Sequence, residues 1–238
     1  FRLFGVNAEL LIDHAWGFES CTMADIKAYE PADHSVGSGQ VLQCPYPFEK
    51  AALAVREMAD ALALDLMDQG LVTDRLTLAV GYDIENLTDP ARRAAYRGPV
   101  GTDHYGRSTP KPVHATARLE TPTASARELV AAAQALMEKI ADPALLVRRL
   151  TLTAGRVLTE EEAEAAPVCR QLDLFHDWGA EAAKEQQAAA RRAREKKMQA
   201  AMLGIKKKYG KNAILKGMDL EDGATGKLRN DQIGGHKA

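Results

Sequence analysis

The stretch Arg75-Leu-Thr-Leu-Ala-Val-Gly-Tyr82 alternates with period two: Leu76, Leu78, Val80 and Tyr82 fall on one side and Arg75 and Thr77 on the other. Successive side chains of a strand point to opposite faces, so this pattern predicts a strand with one face in a core and one face open. Val113–Glu120 repeats it with Val113, Ala115, Ala117 and Leu119, and Val147–Thr153 with Leu150 and Leu152. A further strand is expected around Ser35–Leu42. Between these lie two helical patterns. Pro47 suits a first turn, and Phe48, Ala52, Val55, Ala59, Leu62 and Leu66 follow at helical spacing until Gly70. Leu129, Ala133, Leu136 and Ile140 mark the other helix, with Ser125 and Glu128 as an expected capping box and Pro143 beyond its end. The order βαββαβ predicts an α+β fold, a four-stranded sheet backed by two helices. A polar insertion, Asp83 to Pro110, separates the middle strands.

Outward from this unit the signals weaken. Residues 1 to about 30 read as a short helical piece in which Asn7 caps a helix carrying Leu10, Leu11 and His14, and Gly17 ends it. The chain begins at Phe1 rather than Met, which reads as a piece cut from something longer. After Thr153 come an acidic stretch, Thr159 to Pro167, and a charged helical segment, Glu181 to Lys208. The end, Gly217 to Ala238, is rich in glycine and polar residues and is expected to be mobile. The domain boundaries expected are 1–32, 33–156 with the insertion at 83–110, and 157–238.

The 238 residues carry 31 Lys and Arg against 33 Asp and Glu, a net charge of −2, so total charge says nothing about partners. Its distribution says more. Acids crowd at Glu160, Glu161, Glu162 and Glu164, and bases at Arg191–Lys197 and Lys206–Lys211. No apolar run approaches the roughly 20 residues that cross a bilayer, and no secretory signal opens the chain. The three cysteines, Cys21, Cys44 and Cys169, are widely spaced and odd in number. They fit neither a zinc site nor a disulfide framework, and a reducing cytoplasm is expected. The six histidines show no ligand spacing, and no nucleophile–base constellation is visible.

Two helices cover one face of a sheet, so the other must meet water or a partner. Alternation assigns to it Arg75 and Thr77, then His114, Thr116 and Arg118, then Arg149, Thr151 and Thr153, with Ser35, Ser38 and Gln40 from the first strand. Threonine is common on any solvated strand. The set as a whole, with no carboxylate until Glu120, has the hydroxyls and guanidinium groups that bind phosphate oxygens. Sequence-independent nucleic-acid binding is therefore expected.

The stretches His34-Ser-Val-Gly-Ser-Gly-Gln-Val-Leu42 and Leu146-Val-Arg-Arg-Leu-Thr-Leu152, with the helix from Pro47, resemble the little-finger domain of Y-family translesion DNA polymerases. Phe4-Gly-Val-Asn-Ala-Glu-Leu-Leu-Ile-Asp-His-Ala-Trp-Gly17 is similar to the last helix of that family's thumb. Lys207-Lys-Tyr-Gly-Lys-Asn-Ala-Ile-Leu-Lys-Gly217 and Asn230-Asp-Gln-Ile-Gly-Gly-His236 resemble its UmuC-like branch in Gram-positive bacteria. The resemblance implies primer–template DNA as partner. It carries backbone contacts over to Ser35, Ser38 and Gln40 and to Arg148 and Arg149, although alternation turns Arg148 toward the helices. It also implies error-prone synthesis in DNA damage tolerance. The chemistry would lie in palm carboxylates holding magnesium, which precede the thumb and are absent from this chain. No cofactor or metal is expected here, and Asp83 and Glu85 are expected to be a solvated loop pair.

Gln171-Leu-Asp-Leu-Phe175 resembles the pentapeptide that bacterial polymerases insert into the sliding clamp. Gln171 would supply polar contacts at a pocket rim, Leu172, Leu174 and Phe175 would be apolar anchors, and Asp173 would lie between them. The other reading is an amphipathic turn packed on the domain itself. Arg191–Lys211 likewise has two readings, a nucleic-acid or partner contact and a solvated helix. The partners expected are primer–template DNA and the bacterial sliding clamp, with no membrane, and the chain itself a monomer. The alternative in another class is a stand-alone, non-enzymatic DNA- or clamp-binding protein.

Overall fold

A computed structural model describes residues 2–5, 7–19, 21–29, 34–103, 105–165, 178–233 and 236–237, and the side chains of these except 178–185, 233, 236 and 237. The chain divides into two compact units, Phe1–Asp33 and His34–Ala238.

The first unit holds α1 (Asn7–Ala15) and α2 (Met23–Ala28). Gly17, at φ 75°, ends α1: its N–H donates to His14 O at 3.0 Å and that of Phe18 to Asp13 O at 2.8 Å. This double bond satisfies the last carbonyls as a left-handed C-terminal residue allows. Thr22 and Asp25 form a reciprocal cap on α2. Ala8 is the buried hydrophobic residue of this unit among the described residues.

The second unit contains β1 (Val36–Tyr46), α3 (Phe48–Asp68), β2 (Leu71–Tyr82), α4 (Glu85–Thr88), α5 (Pro90–Ala95), β3 (Val100–Thr102), β4 (Ser108–Pro110), β5 (Val113–Thr123), α6 (Ala126–Ile140) and β6 (Val147–Thr159). Then come α7 (Glu160–Ala165), α8 (Trp178–Tyr209), a 3-10 turn (Gly217–Leu220), α9 (Gly226–Asn230), and β7 (Gln232–Ile233) paired with β8 (His236–Lys237). The main sheet is antiparallel with strand order β1-β6-β2-β5. Helices α3 and α6 cover one face. Val55, Met58, Leu62 and Leu66 of α3 and Leu129, Ala133 and Met137 of α6 meet Leu76, Leu78, Val80, Leu150 and Leu152 of the strands in one core. Each large side chain closed off there contributes about 1.5–3 kcal/mol. The expected α+β sheet-and-helix architecture is the one observed, with strands that run several residues longer than alternation suggested.

Three expectations need correction. The insertion is not a plain polar loop. It forms α4, α5 and the β3–β4 hairpin, and Asn86 pins it. The buried Asn86 amide donates to Asp83 O and Leu146 O and accepts from Leu146 N, each at 2.9 Å. Asp83 is therefore no solvated loop acid: it is 8% exposed. Next, the capping box on α6 is half present. Ser125 Oγ accepts from Glu128 N at 3.2 Å, but the Glu128 carboxylate takes Arg192 at 2.8 Å, and Ser125 N donates to Thr123 Oγ1. Glu195 of α8 serves that helix start instead, accepting from Ser125 Oγ at 2.8 Å and Arg127 N at 2.9 Å. A carboxylate suits the unpaired N–H groups and positive dipole end of a helix.

The third correction concerns the C-terminal end, whose described part is docked on α3 rather than mobile. The Glu57 carboxylate accepts from Thr225 N at 2.7 Å, Thr225 Oγ1 at 3.1 Å and Gly226 N at 3.0 Å, closing the first turn of α9. Burial pushes the Glu57 carboxyl above its ordinary range against the lowering effect of these donors. Lys216 pairs with Asp60, Lys207 with Asp68, and Lys50 with Asp222 at 2.8 Å. Among the described residues, no helix is long and apolar enough to cross a membrane.

Candidate nucleic-acid interface

Strand register shows which side chains share the uncovered face, because residues paired across an antiparallel ladder point the same way. Four rows cross the sheet. Gly155, Arg75 and Arg118 form the first, and Gly37, Thr153, Thr77 and Thr116 the second. Gly39, Thr151, Ala79 and His114 form the third, and Val41, Arg149 and Gly81 the fourth. Guanidinium groups thus stand at both ends, with hydroxyls, an imidazole and bare backbone between. The hydroxyls of Thr77 and Thr116 are 2.7 Å apart. Across these rows there is no carboxylate, and among the described residues Arg118 and Arg149 form no ion pair. Arg75 has only a distant one, to Asp74 at 3.9 Å.

The glycines are part of the surface. A Cβ on Gly37 would lie 2.9 Å from Thr153 Oγ1 and 3.1 Å from Leu152 O, so this position stays bare for packing reasons. Bare strand backbone lets a ligand approach closely.

The sequence-derived set is brought together in part. Arg75, Thr77, His114, Thr116, Arg118, Arg149, Thr151 and Thr153 share the open face. Ser38 and Gln40 do not: they pair with Leu152 and Leu150 and point to the helix side. Gln40 Oε1 accepts from Thr225 Oγ1 at 3.3 Å. Ser35 is exposed just before β1. The phase of β1 is set by Val36 and Leu42, and the glycines on its open side carry no apolar mark that alternation could read.

Arg148 departs from alternation for a visible reason. Gly81 pairs with Arg149 and Tyr82 with Val147, so Arg148 is the extra residue of a bulge, which re-aims its side chain. Its Nε lies 3.7 Å from Asp83 Oδ2. Arg148 and Arg149 line one groove with Asp103, Tyr105 and Arg107 of the hairpin. Sequence reasoning missed those hairpin residues, since nothing local ties a loop tip to a sheet end.

Asp83 and Glu85 do not form a metal pair. Asp83 Oδ1 accepts from Glu85 N at 2.8 Å while Oδ2 faces Arg148. Among the described residues no three His, Cys, Asp or Glu side chains are grouped to hold a metal ion. The basic stretch of α8 splits. Arg192 pairs with Glu128 and Lys196 with Glu160, whereas Arg191, Arg194 and Lys197 form no ion pair among the described residues. The pentapeptide Gln171–Phe175 lies outside the described residues.

The family model for the C-terminal domain of the impB/mucB/samB family matches residues 33–174, more than half of the chain. The chain belongs to that family. The match places the four-stranded sheet and its two helices within the impB/mucB/samB C-terminal domain, the little finger of Y-family polymerases. This impB/mucB/samB domain is also similar to a chain in the solved complex of a β-clamp processivity factor and the little finger domain of PolIV. The two are 14% identical with a TM-score of 0.34, over 60% of this chain and 100% of that one. A search of curated proteins found no match. No catalytic palm is present among the described residues of this impB/mucB/samB chain.

Proposed function

We propose that this domain holds primer–template DNA by its sugar–phosphate backbone, without regard to sequence, inside an error-prone translesion polymerase of the UmuC-like branch found in Gram-positive bacteria. The observation that carries this is the open face: guanidinium groups at both ends, those of Arg118 and Arg149 without an ion pair among the described residues, and a carboxylate-free strip of hydroxyls and bare backbone between them. Such groups take phosphate oxygens, and contacts to the backbone carry no sequence information directly. In this reading residues 1–32 end the thumb and residues 33–156 are the little finger. Residues 157–238 carry the clamp peptide and the basic segment. Nucleotidyl transfer, with its magnesium, belongs to a palm outside this chain, in a protein that works in DNA damage tolerance in the cytoplasm.

Gln171–Phe175 is the proposed anchor for the bacterial sliding clamp, with Leu174 and Phe175 as its apolar contacts. Changing both to Ala removes two anchors of about 1.5–3 kcal/mol each when fully buried, at least roughly a tenfold loss in clamp affinity. Calorimetry with the clamp measures it, and an unchanged affinity overturns the assignment. For DNA, the test is Arg118→Ala combined with Arg149→Ala, read by fluorescence anisotropy on two duplexes of unrelated sequence. Equal weakening on both is expected. No weakening, or weakening on one alone, overturns the open-face reading.

A further inference from the structure

The insertion brings a stiff aromatic tip to one end of the open face. The groove there, about 500 Å³, has Val41, Gly81, Arg148 and Arg149 on the sheet side and Tyr105 and Arg107 on the hairpin side. Its two carboxylates already face cations, Asp83 with Arg148 and Asp103 with Arg107. Of the groove's three arginines, Arg149 forms no ion pair among the described residues.

The turn that carries Tyr105 is built around Asp103. One carboxylate oxygen accepts from the N–H groups of Tyr105 and Arg107, both at 2.9 Å. The other accepts from the Arg107 guanidinium, with Nε at 2.8 Å and Nη2 at 2.7 Å. Asp103 N donates to Arg107 O at 2.9 Å, and Gly106, at φ 77°, returns its N–H to Asp103 O at 3.0 Å. The Arg107 side-chain bond holds the Asp103 carboxyl below its ordinary range. The Arg107 guanidinium sits over the Tyr105 ring, 5.0 Å from its centroid, yet the residue remains 77% exposed. An aromatic this exposed contributes nothing to the core. The bonds beneath it fix its position before any ligand arrives, which lowers the ordering cost of binding.

An exposed ring backed by a cation, beside a guanidinium-lined groove, has the chemistry of single-stranded nucleic-acid sites, where bases stack on aromatic side chains as the backbone follows positive charge. We propose that the β3–β4 hairpin is a second nucleic-acid contact in which Tyr105 stacks on an unpaired base of the DNA whose duplex part lies on the open face. The proposal rests on the open-face reading above. In this arrangement Arg107 and Asp103 are positioning residues and Tyr105 makes the contact.

The test uses the full chain and two fluorescent probes, a blunt duplex and the same duplex with a single-stranded overhang. Tyr105→Ala should weaken binding of the overhang probe by roughly five- to one-hundred-fold, the equivalent of one lost stacked base, and leave the blunt duplex unchanged. Tyr105→Trp should retain overhang binding, and the indole fluorescence of that variant should be quenched by the overhang probe alone. A loss that is the same on both probes, or no loss at all, overturns the proposal. So does fluorescence of the Tyr105→Trp variant that does not respond to the overhang. Arg118→Ala with Arg149→Ala separates the two levels. If it weakens neither probe, the open-face reading fails. If it weakens both while Tyr105→Ala weakens neither, only the hairpin contact fails.

Discussion

Arg149 and Leu150 are neighbours on β6 and face opposite ways. The Leu150 side holds the fold: Leu76, Leu78, Val80 and Leu152 close against α3 and α6 with no exposure. The Arg149 side contributes none of its residues to that core. It has Arg118 and Arg149 without ion pairs among the described residues, hydroxyls, and a position at Gly37 where a Cβ would crowd Thr153 Oγ1 and Leu152 O. One strand alternation therefore serves burial on one face and, in the function proposed, recognition on the other. The difference teaches that on the open side the arginines and hydroxyls, unlike Gly37, are not explained by packing, which is what makes them informative about function.

The largest effect should come from the closed side. Leu150→Ala leaves a cavity and should cost about 2–5 kcal/mol in denaturant unfolding, whereas Arg149→Ala beside it should stay within about 0.5 kcal/mol. Comparable losses at both positions would erase the contrast between the faces. A smaller and local effect is expected at the docked C-terminal end. Glu57→Ala removes the acceptor of three hydrogen bonds. Amide exchange at Thr225 and Gly226 should accelerate by roughly ten- to one-hundred-fold, the equivalent of one charged hydrogen bond, while DNA affinity is unchanged. Should DNA affinity fall with it, the helix side takes part in recognition and the division between faces is wrong.

The legible part of the fold was the part governed by period. Leu76, Leu78 and Val80 mark β2 and Leu129, Ala133 and Leu136 mark α6, because burial of one face writes itself into the spacing of apolar residues. The open face was legible where a strand had such a phase, at Arg75, Thr77, Thr116, Arg118 and Thr151. It was misread at Ser38 and Gln40, where glycines gave β1 no phase on that side, and at Arg148, where a bulge breaks the period. The insertion and the docked end were hidden for another reason. They are held by polar side chains, Asn86 and Glu57, whose partners lie 60 and 168 residues away, and a buried polar residue looks like a surface one in sequence.

Backbone recognition by the open face is the central claim, and its direct test is the salt dependence of DNA affinity. Each phosphate neutralised by an arginine releases counterions, so the logarithm of affinity should fall linearly with the logarithm of salt, with a slope of about −0.9 per contact. The expected result is the same steep slope on two unrelated primer–templates, made shallower by about two units in the Arg118→Ala, Arg149→Ala variant. A slope near zero, a slope that differs between the sequences, or one that the double substitution leaves untouched would contradict it.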